Sequence, residues 1–147
     1  MSQPIFFLAF SHDPTNTLAE ISNEIKSIEG IFNATGIAPN VTWRVTQDDM
    51  ERQFDINRDG LRIFHFGGHA GKSALQVNDG QGNPKYSFAA GLAGLAAQAQ
   101  GLRLVFLNGC STEEQAQAFI DKGIPAVIAT TKPLVDRYAL EFARRFY

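Results

Sequence analysis

One cysteine in 147 residues excludes an internal disulfide and fits a reducing compartment, so a cytoplasmic location is expected. Charge is also scarce. Charged residues make up 19% of the chain and the net charge is −2. The basic residues are scattered, with Arg144-Arg145 as their densest cluster. That excludes the electrostatic footprint that nucleic acid or an anionic membrane surface would require. Long apolar runs are missing as well. Ile5 to Phe10 is too short for a secretory leader, follows no basic residues and falls far below spanning length. Without a leader, Asn33-Ala34-Thr35 and Asn40-Val41-Thr42 read as chance matches to the glycosylation pattern. Metal-ligand spacing is lacking too. His65 and His69 stand four apart but on a strand and its loop, with no second cysteine and no HExxH or paired-carboxylate pattern, so no metal and no cofactor is expected. Repeats, low-complexity tracts and linkers are absent.

Apolar residues, at 44%, suffice for one core, and the length suits one domain over 1–147. Ile5 to Phe10 reads as a buried strand. Thr17 to Phe32 reads as an amphipathic helix, with Leu18, Ile21, Ile25 and Ile28 inward, Glu20, Glu24, Lys26 and Glu29 elsewhere, and Asn16 or Thr17 as cap. Gly36 and Pro39-Asn40 break the chain before a strand over Val41 to Val45. A short helix over Gln47 to Ile56 precedes a turn at Asn57-Arg58-Asp59-Gly60. Leu61 to Phe66 is the next strand, and Leu75 to Val77 a small hairpin strand turning at Asn78-Asp79-Gly80. A helix over Phe88 to Gln100 has Gly101 as its C-cap. Leu102 to Leu107 is the most hydrophobic strand. Glu113 to Lys122 forms a helix closed by Gly123, Ile124 to Thr130 a strand, and Pro133 to Tyr147 a final amphipathic helix. Strands alternating with helices imply an α/β three-layer sandwich with a mostly parallel sheet. The last helix stops without a cap or polar tail, which suggests part of a larger protein.

In open α/β sheets, sites form beyond the carboxyl ends of the strands. Two such ends stand out, Gly67-Gly68-His69-Ala70-Gly71 and Asn108-Gly109-Cys110-Ser111. A thiol at a strand-to-helix turn stands at the mouth of the sheet, near a helix N-terminus that favours thiolate and whose backbone N–H groups can hold an oxyanion. A histidine on a neighbouring strand end can act as general base and then as acid. Cys110 and His69 are therefore the candidate catalytic pair. His65, inside its strand, reads as a packed or supporting residue. His12, after the first strand, can line the cleft but suits the surface better. Gly71-Lys72-Ser73 imitates a phosphate loop, yet position 66, where the pattern requires glycine, is Phe, so nucleotide binding is a minor alternative.

The two motifs, His-Phe-Gly-Gly-His-Ala-Gly and Leu-Asn-Gly-Cys-Ser-Thr, resemble the CHAT family, caspase-like domains often joined to tetratricopeptide repeats and related to separases and caspases. The resemblance continues through Ile5 to Ile31, Gly123 to Ala129, Pro133 to Asp136 and Phe142 to Tyr147. It implies a caspase-like fold whose C-terminal portion is lacking, with His69 as base and Cys110 as nucleophile. It also implies an oxyanion hole from the backbone N–H groups of Ala70 and Cys110. The implied reaction is peptide-bond hydrolysis through an acyl-enzyme, on a protein or peptide substrate and with a possible regulatory partner such as tetratricopeptide repeats. Two departures stand. The caspase signature Gln-Ala-Cys-x-Gly is absent, and Ala70 follows His69 where glycine is commoner. Asp136 occupies the family's turn position; as an acidic specificity residue it would favour Arg or Lys in the substrate, and as a helix cap it would be structural. A non-catalytic interaction or signalling module is the main alternative to a cysteine endopeptidase.

Overall fold

The computed structural model describes residues 2–71 and 73–147. Five strands, β1 (Ile5–Phe10), β2 (Asn40–Trp43), β3 (Leu61–Gly67), β6 (Leu104–Asn108) and β7 (Ala126–Ile128), form one parallel sheet in the order β2-β1-β3-β6-β7. The intervening β4 (Ala74–Asn78) and β5 (Pro84–Phe88) pair with each other as a separate antiparallel hairpin. The near-continuous apolar runs of β1, β3 and β6 follow from burial on both faces of the sheet. Successive side chains go to opposite sides. Phe7, Ala9, Phe64, Phe66, Val105 and Leu107 join one core cluster, while Leu8, Phe10 and Phe106 join the other.

Helices cover both faces, which makes three layers. On one side lie α1 (Ile21–Ala34), through Ile21, Ile28 and Phe32, and α5 (Asp136–Phe146), through Ala143. On the other lie α2 (Gln47–Ile56), α3 (Ala89–Ala96) and α4 (Glu113–Asp121), through Met50, Phe54, Leu92, Ala93, Ala96 and Phe119. The expected α/β sandwich is therefore found, and every strand of its main sheet is parallel. No helix is long and apolar enough to cross a membrane among the described residues.

Several boundaries differ from expectation. The first helix starts at Ile21 rather than Thr17, and neither Asn16 nor Thr17 caps it. Asp13 captures that stretch instead, its carboxylate accepting from the Thr15 amide at 2.9 Å and the Thr15 hydroxyl at 2.7 Å. Such an Asx-type turn competes with helix for the same backbone groups. The helix expected over Phe88 to Gln100 narrows to α3: Phe88 ends β5 in its pairing with β4, and the chain turns after Ala96. Gly101 lies in a later turn, not at the cap of α3. The final helix begins at Asp136 rather than Pro133. Gly71 and Ser73 lead into β4, not into the helix N-terminus that a phosphate loop requires. Lys72 lies outside the described residues.

Candidate functional site

The central strands β3 and β6 run side by side in parallel, with Gly67 opposite Asn108. Their carboxyl ends therefore emerge together, and His69 and Cys110 follow two residues beyond this last pair. Glycine permits the close approach of the two loops. A Cβ on Gly109 would lie 2.8 Å from the Gly68 carbonyl oxygen and 3.2 Å from Ala70 Cβ. A Cβ on Gly68 would collide with Ser11 Oγ. Beyond the sulfur, Ser111 adopts a left-handed φ of 52°, unusual for a residue with a side chain. Thr112, the N-cap of α4, turns its hydroxyl away from the helix, donating to the Leu107 carbonyl at 3.2 Å and accepting from the Thr130 amide at 2.9 Å.

His69 and Cys110 line one cleft, together with Leu18, Ile21, Glu24, Asn108, Leu134 and Asp136. Its free volume is about 20 Å³, room for a single water. No hydrogen bond joins the thiol to the imidazole among the described residues; each is held by backbone from a different loop. Cys110 Sγ accepts from the Leu134 amide at 3.4 Å and lies 3.6 Å from the Leu134 carbonyl oxygen. His69 Nε2 bonds the carbonyl oxygen of Asn16 at 2.5 Å. A carbonyl can only accept, so Nε2 carries the hydrogen, and in the neutral ring Nδ1 is the basic nitrogen. The turn that presents Asn16 is fixed by Asp13, whose carboxyl is lowered to about 2, first by the Gln76 side-chain amide and then by Thr15.

The amides of Ala70 and Cys110, the two expected oxyanion donors, are not used elsewhere in the fold among the described residues. Ala70 faces Leu75 across an antiparallel bridge whose hydrogen bonds are made by its neighbours, Gly71 to Ala74 and Gln76 to His69. At such a position the residue's own N–H points away from the bridge partner. Neither the Ala70 nor the Cys110 amide has a protein acceptor among the described residues.

Asp136 lies at the rim, as the first residue of α5. Its Oδ2 accepts from the Glu20 amide at 2.7 Å, so it caps α1 across space rather than its own helix. His12 does not reach the cleft. Its ring packs on Trp43 at 5.4 Å, and its backbone amide donates to Asn78 Oδ1 at 3.0 Å.

Beneath the cleft runs a polar network that the sequence reading missed. Glu24, assigned to a polar helix face, is buried at 2% exposure. Its Oε1 bonds His65 Nε2 at 2.8 Å and accepts from Asn108 Nδ2 at 2.8 Å. His65 Nδ1 bonds the Tyr147 hydroxyl at 3.1 Å. Burial, and then the Glu24 carboxylate, push the Tyr147 phenol above its ordinary 10.0. A signal for Glu24 was present: it stands three after Ile21 and four before Ile28, on the stripe that faces the core. His65 is fully buried, as expected of a packed supporting residue.

A family model described as CHAT domain matches residues 2–147. No curated protein matches the chain.

Proposed function

The chain belongs to the CHAT domain family, a caspase-like, peptidase-related family, and on that premise we propose that it is a cysteine endopeptidase domain. One observation carries this reading. His69 and Cys110 line the same cleft at the carboxyl ends of adjacent parallel strands, with the imidazole oriented through Nε2 by the Asn16 carbonyl.

In the proposed reaction, His69 Nδ1 takes the proton of the Cys110 thiol and the thiolate attacks a peptide carbonyl carbon. The amides of Ala70 and Cys110 receive the developing oxyanion. The imidazolium then protonates the leaving amine, leaving an acyl-enzyme thioester that water hydrolyses. The substrate is a protein or peptide, and a regulatory partner would open the cleft by drawing Leu134 off the sulfur. No step calls for a cofactor. A reducing, cytoplasmic setting suits a half-buried single thiol.

Peptide-library hydrolysis tests the proposal. Cys110→Ala and His69→Ala should each lower turnover by about a thousandfold or more while the melting curve is kept. Turnover that survives Cys110→Ala would discard it. The narrow cleft favours a second reading, an interaction module that keeps the fold; partner binding that survives Cys110→Ala, with no turnover in the parent protein, would select it.

A further inference from the structure

Resting on the pairing of His69 with Cys110, we propose that Gln76 and Asp13 form a clasp that positions His69, with β4 as the element that carries it. The residues of β4, Ala74-Leu75-Gln76-Val77-Asn78, alternate in character. Leu75 and Val77 enter the main core, and Gln76 and Asn78 share the opposite face. That polar face is buried too, with Gln76 8% and Asn78 0% exposed. Buried polar groups need partners, and the loop after β1 supplies them. Asn78 Oδ1 accepts from the His12 amide at 3.0 Å, and its Nδ2 donates to the His12 carbonyl at 2.6 Å. Gln76 Nε2 donates to Asp13 Oδ2 at 2.9 Å.

Gln76 also reaches His69 directly, its backbone amide donating to the His69 carbonyl at 2.9 Å. One residue thus holds the main chain of His69 and, through its side chain, Asp13. Asp13 then folds the stretch as far as Asn16. Its Oδ1 accepts from the Thr15 amide and hydroxyl, and its carbonyl accepts from the Asn16 amide at 3.2 Å. The Asn16 carbonyl receives His69 Nε2. The contacts close a ring that leaves His69 by its main chain and returns to its imidazole, so the direction of the imidazole is set against its own backbone. The two bonds to the Asp13 carboxylate are charge-assisted, the strong kind, and a network with its members satisfied is rigid. Neither Asp13 nor Gln76 lines the cleft. Both act through His69, as positioning residues.

Iodoacetamide labelling of Cys110 in the whole chain, timed by mass spectrometry, tests the clasp. Gln76→Glu sets a carboxylate against Asp13 with no donor between them, and in the folded variant it should slow labelling about threefold or more. Its added negative charge would by itself favour an imidazolium beside a thiolate, so slowing reports lost geometry. In a His69→Ala background the same change should leave the rate as it was, because a positioning residue acts only through the residue it positions. Adding Asp13→Asn to Gln76→Glu restores one donor against one carboxylate, keeps the parent's net charge and should recover most of the rate. Gln76→Met, which removes the donor without a charge, takes the place of Gln76→Glu if that variant does not fold. A rate left unchanged or raised would overturn the clasp. So would equal slowing with and without His69, which marks a general distortion, or a folded double variant that recovers nothing. Parent labelling indifferent to His69 would overturn the pairing of His69 with Cys110 and this proposal with it.

Discussion

Tyr147 shows how a terminal side chain can bear on a central site. Its hydroxyl reaches His65, which reaches Glu24, which reaches Asn108 two residues before Cys110. Its pKa is raised by burial and by Glu24, so the unfolded phenol ionises before the folded one. The stabilising contribution is therefore full below pH 10.0 and is lost as pH rises above it. Tyr147→Phe should cost about 1 kcal/mol at neutral pH, the ordinary net worth of a hydrogen bond, yet flatten the alkaline fall in stability. Denaturant midpoints taken across the alkaline range, with phenolate absorbance alongside, check both halves. An unchanged alkaline slope would show that Tyr147 does not govern it. Gly109 is a second sensitive point. Alanine there would press on the Gly68 carbonyl at 2.8 Å, and moving backbone should cost about 1–3 kcal/mol, as overpacking does. A Gly109→Ala protein with the parent's unfolding midpoint would contradict the close approach of the two site loops.

Among the elements, legibility tracked how local the causes were. α2 spans Gln47–Ile56, as expected, because its start is written locally. Thr46 accepts from the Asp49 amide and the Asp49 carboxylate accepts from the Thr46 amide, each at 3.0 Å. Thr46→Ala should lose about 1 kcal/mol, read as a lower thermal midpoint; no shift would mean that the capping box does not hold α2. β1, β3 and β6 were equally plain, since their apolar runs report burial on both faces. What depended on distant partners was not legible. β5 is half polar and becomes a strand only through its pairing with β4. α1 has its start set by a carboxylate 116 residues away, Asp136. In the site, Cys110 and His69 were legible because the turns that carry them are distinctive. The Asn16 and Leu134 contacts run through backbone groups, which every residue possesses, so their identity as neighbours could not be read from side chains.

At the scale of the whole molecule, the sheet brings both side chains to one cleft and a different loop holds each of them. The loop after β1 holds the imidazole through Asn16, and the segment after β7 holds the sulfur through Leu134. The first contact sets the imidazole's tautomer and leaves Nδ1 basic. The second covers the Cys110 sulfur. Under the proposed function, use of the pair would depend on shifting one short segment, with the rest of the three-layer fold left in place. The most direct test is the rate at which iodoacetamide alkylates Cys110 at neutral pH in the parent protein and in His69→Ala. Parent labelling faster than a free thiol, slowed about tenfold or more by His69→Ala, is the predicted result. Labelling no faster than a free thiol, and indifferent to His69, would contradict the pairing of Cys110 with His69.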